Sequence, residues 1–204
     1  MPLGRQTTGS ETYAPGLLYP IPRAAGRSEL GCGEQLPFSG ADLWHAYEVS
    51  WLDGRGKPVV KVGRFLIPAG SPYMVESKSF KLYLNSLNST RFADEPEARS
   101  TILRDISAVV GATIELELVD VDDASLAGSR LTGQCLDRLD VAAAGSQPDS
   151  GLLSVRSSQV TEERLYTHLL RSLCPVTGQP DWASVWLHYR GASLDHGSLL
   201  QYII

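Results

Sequence analysis

The sequence predicts an α+β protein in which antiparallel strands flank two consecutive helices. Residues 45–52 and 59–67 both alternate apolar and polar side chains around the turn Asp53-Gly54-Arg55-Gly56, the pattern of a β-hairpin. The period then becomes helical, with Phe80, Leu84 and Leu87 at i, i+4 and i+7, followed by Ile102, Ile106 and Val109 or Val110 on one stripe. Alternation returns at 113–119, with Ile114, Leu116 and Leu118 on one face, and again at 182–190.

In chain order, residues 1–35 read as an N-terminal arm, extended or mobile, because Pro2, Pro15, Pro20 and Pro22 interrupt any periodicity. Its apolar positions Tyr13, Leu17 and Leu18 are suited to a partner surface or to a loosely ordered leader. A first module spans 36–145. Within it Ser77 or Ser79 suits the N-cap of the first helix, while Pro96 opens the second and Gly111 ends it. Residues 131–139 suggest a short strand holding Cys135, and the small, polar run 142–151 suggests a linker. A second module spans 150–204. It begins with a strand edge at 152–155 and continues with a helix from Thr161 to Leu173, on the i, i+4, i+8 spacing of Leu165, Leu169 and Leu173. A strand at 182–190 and one more structured segment at 199–204 complete it.

The chain is long enough for a sizeable core: 204 residues, 43% hydrophobic and 20% charged. A net charge of −5 argues against nucleic acid as a direct partner. Cys32, Cys135 and Cys174 are odd in number and widely spaced, matching neither a disulfide framework nor a zinc signature. No apolar signal core opens the chain and no run approaches the ~18 apolar residues of a membrane span. A cytoplasmic protein without a membrane partner is expected.

The chemistry concentrates in two stretches. In Leu173-Cys174-Pro175-Val176-Thr177-Gly178-Gln179-Pro180-Asp181-Trp182, a sulfur nucleophile and a carboxyl proton donor lie at the two ends of one loop. That pairing suits covalent chemistry on an electrophilic carbon, although a lone cysteine also fits an inert, partly buried position. In Glu76-Ser77-Lys78-Ser79-Phe80-Lys81, two ammonium groups three residues apart flank a helix start, where backbone N–H groups attract anions. A solvated pair of lysines is the alternative.

Both stretches resemble one family, the NADPH-dependent nitrile reductases of the queuosine pathway (the QueF family) in their long, two-module form. Glu76-Ser-Lys-Ser-Phe-Lys-Leu-Tyr83 is similar to the family's signature helix start, and Cys174-Pro-Val-Thr-Gly-Gln-Pro-Asp-Trp182 to its nucleophile loop. Residues 36–44, 47–52, 84–92 and 188–191 extend the likeness over about 36–204. The resemblance implies the tunnelling fold, an antiparallel sheet with two helices on one face, in two tandem modules of which the second is incomplete. It implies reduction of 7-cyano-7-deazaguanine to its aminomethyl form with two NADPH, and a homodimer or larger homo-oligomer.

The roles that the resemblance implies are specific. Cys174 adds to the nitrile and Asp181 donates the proton. Val75, Glu76 and Ser77 contact the deazapurine, and Ser77 and Lys78 bind NADPH, with Lys81 a weaker candidate; no metal is implied. The family's His-Glu pair has no counterpart here, since no His-Glu dipeptide occurs and His196 precedes Gly197. The expectation is therefore a fragment or a shortened gene with reduced activity. The alternative reading is a catalytically impaired purine-binding fragment. A zinc-dependent cyclohydrolase of the same fold is disfavoured, because Cys174 has no closely spaced His-x-x-Cys partner.

Overall fold

The computed structural model of the chain describes residues 12–33, 35–143, 145, 149–174 and 178–204. These fall in two compact units divided between Ala127 and Gly128, whereas the sequence suggests a border at the 142–151 linker. The α+β class is borne out: the described residues include four α-helices and sheets whose long strands pair antiparallel.

In the first unit the expected hairpin is formed by β2 (Ala41–Leu52) and β3 (Pro58–Pro68), and β5 (Glu115–Val119) adds to β3, all antiparallel. One extra residue in β2 shifts the register between Ala46 and Val49. The bulge moves the inward parity from Trp44 and Ala46 to Val49 and Trp51, so that one face of a long strand stays on the core. Gly63 sits opposite Ala46, where a Cβ would lie 2.7 Å from the Phe65 ring.

Helices α2 (Ser77–Ser86) and α3 (Glu95–Val110) cover that face. Phe80, Tyr83 and Leu84 from α2 and Ala98, Ile102, Ile106 and Val110 from α3 pack with Trp51, Phe65, Ile67 and Leu116. Phe80 meets Phe65 and Trp44 edge-on at 4.9 and 5.8 Å. Asp94 caps α3 by accepting from the Glu97 N–H, and Gly111 ends the helix at φ 70°.

The arm expected to be extended or mobile is structured over 12–33. A 3₁₀ turn (Pro15–Leu17), strand β1 (Pro20–Pro22) and helix α1 (Arg23–Glu29) follow one another, and β1 pairs antiparallel with β4 (Tyr73–Val75). Leu18 is buried, and Tyr13 and Leu17 pack against the same core, so these apolar positions dock on the chain's own first unit. Arg23 adds an ion pair to Asp42 and a 3.1 Å bond to the Ser71 hydroxyl. The prolines limit the segment's period, not its packing.

The second unit departs further from expectation. Thr161–Leu173 is not a helix: it belongs to β7 (Val155–Leu173), which pairs antiparallel with β8 (Pro180–Leu194) along nearly its whole length. Spacings of four and eight are multiples of two, so Leu165 and Leu169 fit a strand face as well as a helix stripe. The short strand expected at 131–139 contracts to β6 (Gln134–Cys135), parallel to β7. Of the strand edge expected at 152–155, Leu152 ends a 3₁₀ turn (Ser150–Leu152) and only Val155 lies in a strand, as the first residue of β7. The last structured segment is helix α4 (His196–Ile203), whose Leu199 and Leu200 close a small core with Leu136 and Leu165.

A buried carboxylate ties the first unit together. Asp105 Oδ2 accepts from the hydroxyls of Tyr13 (2.6 Å) and Tyr83 (2.7 Å), and Arg104 bonds both Asp105 and Tyr13. Burial first, and then the bond to Asp105, hold both phenols above their ordinary pKa. A raised folded-state pKa stabilises the fold fully below about pH 10 and loses that contribution as pH climbs beyond it. Tyr83→Phe should cost roughly 1–2 kcal/mol at pH 8 and flatten the loss of stability between about pH 10 and 11, read by urea denaturation at both ends.

Candidate active site

The structure divides the six expected site residues between the units. Val75, Glu76, Ser77 and Lys78 are in the first; Cys174 and Asp181 are in the second.

Val75 is the fully buried last residue of β4, paired with Pro20. The next residue turns the chain into α2, and here the expected cap is corrected. Neither Ser77 nor Ser79 is the N-cap; Glu76 is, at φ −72° and ψ 131°. Its carboxylate accepts from the N–H groups of Lys78 (3.0 Å, Oε1) and Ser79 (2.7 Å, Oε2), and only 4% of the residue is exposed. Glutamate is not among the usual capping types, which is why the sequence points to the serines instead. Ser77, at the first helical position, is exposed, and Lys78 is half-buried.

Ser77 and Lys81 also line a groove of about 400 Å³ between β2 and α2, floored by Trp44, Phe80 and Leu84 and bordered by His45 and Tyr47. Lys81 reaches Glu48 at 3.3 Å in an exposed pair, which contributes little stability. The exposed Ser77 hydroxyl and the ammonium groups of Lys78 and Lys81 are donors that suit the phosphates of a dinucleotide, two first-turn N–H groups being taken by Glu76. An aromatic-lined groove beside them suits its rings. The residues present therefore fit NADPH.

Cys174 and Asp181 lie at the same end of the β7–β8 hairpin, not between a helix and a strand. Asp181 sits opposite Ser172 and Pro180 opposite Leu173, with Cys174 the first residue past the ladder. The loop is closed by two backbone bonds, from the Cys174 N–H to the Gln179 carbonyl (2.9 Å) and from the Gly178 N–H to the Cys174 carbonyl (2.8 Å). Pro175, Val176 and Thr177 lie outside the described residues. Cys174 is half-buried, whereas Asp181 and Trp182 are exposed. Cys32 in the N-terminal segment and Cys135 beside β7 are likewise half-buried. Among the described residues, no group of three or more His, Cys, Asp or Glu side chains is placed to hold a metal ion, and no helix is long and apolar enough to cross a membrane.

A capped helix start beside an aromatic groove in the first unit, and a cysteine–aspartate loop on a hairpin of the second, are the two places where this α+β chain gathers its chemically capable side chains. Residues 10–118 match the family described as "Nitrile reductase, 7-cyano-7-deazaguanine-reductase N-term". Over its whole length the chain is 50% identical to an NADPH-dependent 7-cyano-7-deazaguanine reductase of Chromohalobacter salexigens, covering 73% of that protein. It is also 50% identical to the reductases of the same name from Burkholderia ambifaria and Burkholderia lata, covering 75% of each. The chain belongs to the 7-cyano-7-deazaguanine reductase family, oxidoreductases that act on a nitrile.

Gly178 has φ 68°, a conformation that costs residues with a Cβ roughly 1–2 kcal/mol. Gly178→Ala should destabilise the second unit by about that amount in urea denaturation, with Gly178→Asn losing less because asparagine tolerates the left-handed region.

Proposed function

We propose that this chain carries out NADPH-dependent reduction of the nitrile of 7-cyano-7-deazaguanine to 7-aminomethyl-7-deazaguanine, within queuosine biosynthesis for tRNA modification. The observation that supports this reading most directly is the placement of Cys174 and Asp181 at the same end of one hairpin, Cys174 just past the last ladder pair Leu173–Pro180 and Asp181 just inside it.

The nitrile carbon is a weak electrophile, and a nucleophile that adds to it divides the reduction into easier steps. The Cys174 thiolate forms a C–S bond to that carbon, and the π electrons move to nitrogen, which takes a proton from Asp181. The product is a thioimide, whose C=N carbon accepts a hydride more readily than the nitrile does. Bound NADPH supplies hydride, two equivalents in all. After the first hydride the nitrogen lone pair forms a C=N bond as the C–S bond breaks and its electron pair returns to Cys174. The imine so released takes the second hydride at carbon and a proton at nitrogen to give the amine. Glu76 would accept hydrogen bonds from the N–H edge of the deazaguanine, a charge-assisted pairing, with Val75 and Ser77 contacting the base beside it. Ser77 and Lys78, with Lys81, would hold the cofactor's phosphates. The order of strands and helices in the first unit supports a tunnelling-fold module, and a homodimer or larger homo-oligomer follows from that fold.

Incubating the chain with the cyano substrate in the absence of NADPH should add the substrate's mass at Cys174 alone, detected by peptide mass spectrometry. An adduct that persists in Cys174→Ala would sink the assignment. Binding of the base with no adduct at any cysteine would favour the purine-binding alternative.

Glu76→Asp separates the two tasks of that carboxylate. Aspartate is a good N-cap, so the thermal midpoint should hardly move. The shortened side chain should weaken base binding by about tenfold or more, equivalent to ~1.4 kcal/mol, with NADPH affinity unchanged. Equal losses for both ligands in calorimetric titration would mean that Glu76 only shapes the helix.

A further inference from the structure

The signature helix carries two buried serines that no step above uses. Ser79 and Ser86 are seven residues apart on α2, two turns along one face, and both are 0% exposed. Each makes the same pair of bonds. The Ser79 hydroxyl donates to the Glu76 carbonyl (2.7 Å) and accepts from the Tyr19 N–H (3.0 Å). The Ser86 hydroxyl donates to the Tyr83 carbonyl (2.6 Å) and accepts from the Ala14 N–H (3.1 Å). The segment from Tyr13 to Pro22 is thus laced onto α2 at two levels, with Tyr13 anchored on Asp105 and β1 paired to β4.

Only the Ser79 level touches the site. There the Glu76 N–H donates to the Tyr19 carbonyl (2.9 Å), while the Ser79 N–H donates to Glu76 Oε2. Glu76 is therefore held at its amide, its carbonyl and its carboxylate, with Ser79 and Tyr19 supplying a partner at each point. A carboxylate that must meet two donors of a planar base tolerates little displacement, since a shift of about 1 Å in a positioning group can cost ~10²-fold.

We infer that Ser79 is a positioning residue, which sets the Glu76 carboxylate for the base by locking the Tyr13–Pro22 strap to the helix start. This rests on the reading of Glu76 as the base-gripping residue. Ser86 serves as an internal control, because it makes equivalent bonds two turns away from Glu76.

The test measures 7-cyano-7-deazaguanine binding and the thermal midpoint for the full chain and for Ser79→Ala, Ser86→Ala, Glu76→Ala and Glu76→Ala/Ser79→Ala. Both serine variants should lower the midpoint alike. Ser79→Ala alone should weaken base binding, by at least fivefold, and should add less than twofold in the Glu76→Ala background. Should Ser79→Ala not fold, Ser79→Cys, which keeps the volume and weakens both bonds, takes its place with the same expectation. The inference is overturned if the two serine variants weaken binding equally, or if Ser79→Ala binds as the wild type does while Glu76→Ala does not. If Glu76→Ala leaves base affinity unchanged, or the full chain binds no base, the reading of Glu76 fails first and takes this inference with it.

Discussion

The first N–H groups of α2 have no partner inside the helix, and the way they are satisfied organises the first unit. Glu76 takes two of them on one carboxylate. Its own amide and carbonyl are taken by Tyr19 and Ser79, which draws in the N-terminal segment. Glu76 is therefore a structural joint where β4, α2 and the segment leading into β1 meet. Such a joint keeps a charged side chain at low exposure without leaving it unpaired, the condition under which a buried carboxylate is tolerated.

The same economy recurs at Asp105. Two tyrosine hydroxyls and a flanking arginine surround one buried carboxylate, and its partners come from the N-terminal segment, α2 and α3. Among the described residues no buried side-chain nitrogen or oxygen lacks a partner. The polar groups inside the first unit are thus matched as closely as the apolar ones are packed.

The second unit is built differently. A long hairpin with three register shifts carries most of its backbone pairing, while its buried apolar cluster is small and depends on α4 and Leu136 to cover Leu165. Cys174 is the first residue past its ladder, anchored there by backbone bonds to Gln179 and Gly178.

Much of this was legible in the sequence. The β2–β3 turn, the stripes of α2 and α3, Gly111 as a helix stop and the strand at 182–190 follow from local periodicity and turn chemistry, which act over a few residues. The two motifs around Glu76 and Cys174 were legible as well, because their residue types carry chemistry wherever they are placed. Tertiary structure decided the rest. Leu165 and Leu169 satisfy both a helical and a strand period, and only the long ladder with β8 selects the strand. The proline-bearing segment at 12–33 shows no period of its own, yet it is ordered by bonds to β4, α2 and α3 some 50 to 90 residues away. Glu76 became the cap because the β1–β4 pairing brings the Tyr19 carbonyl to its amide and burial leaves its carboxylate the first-turn N–H groups as partners. Long-range pairing is invisible to any local window, and that is where sequence reading stops.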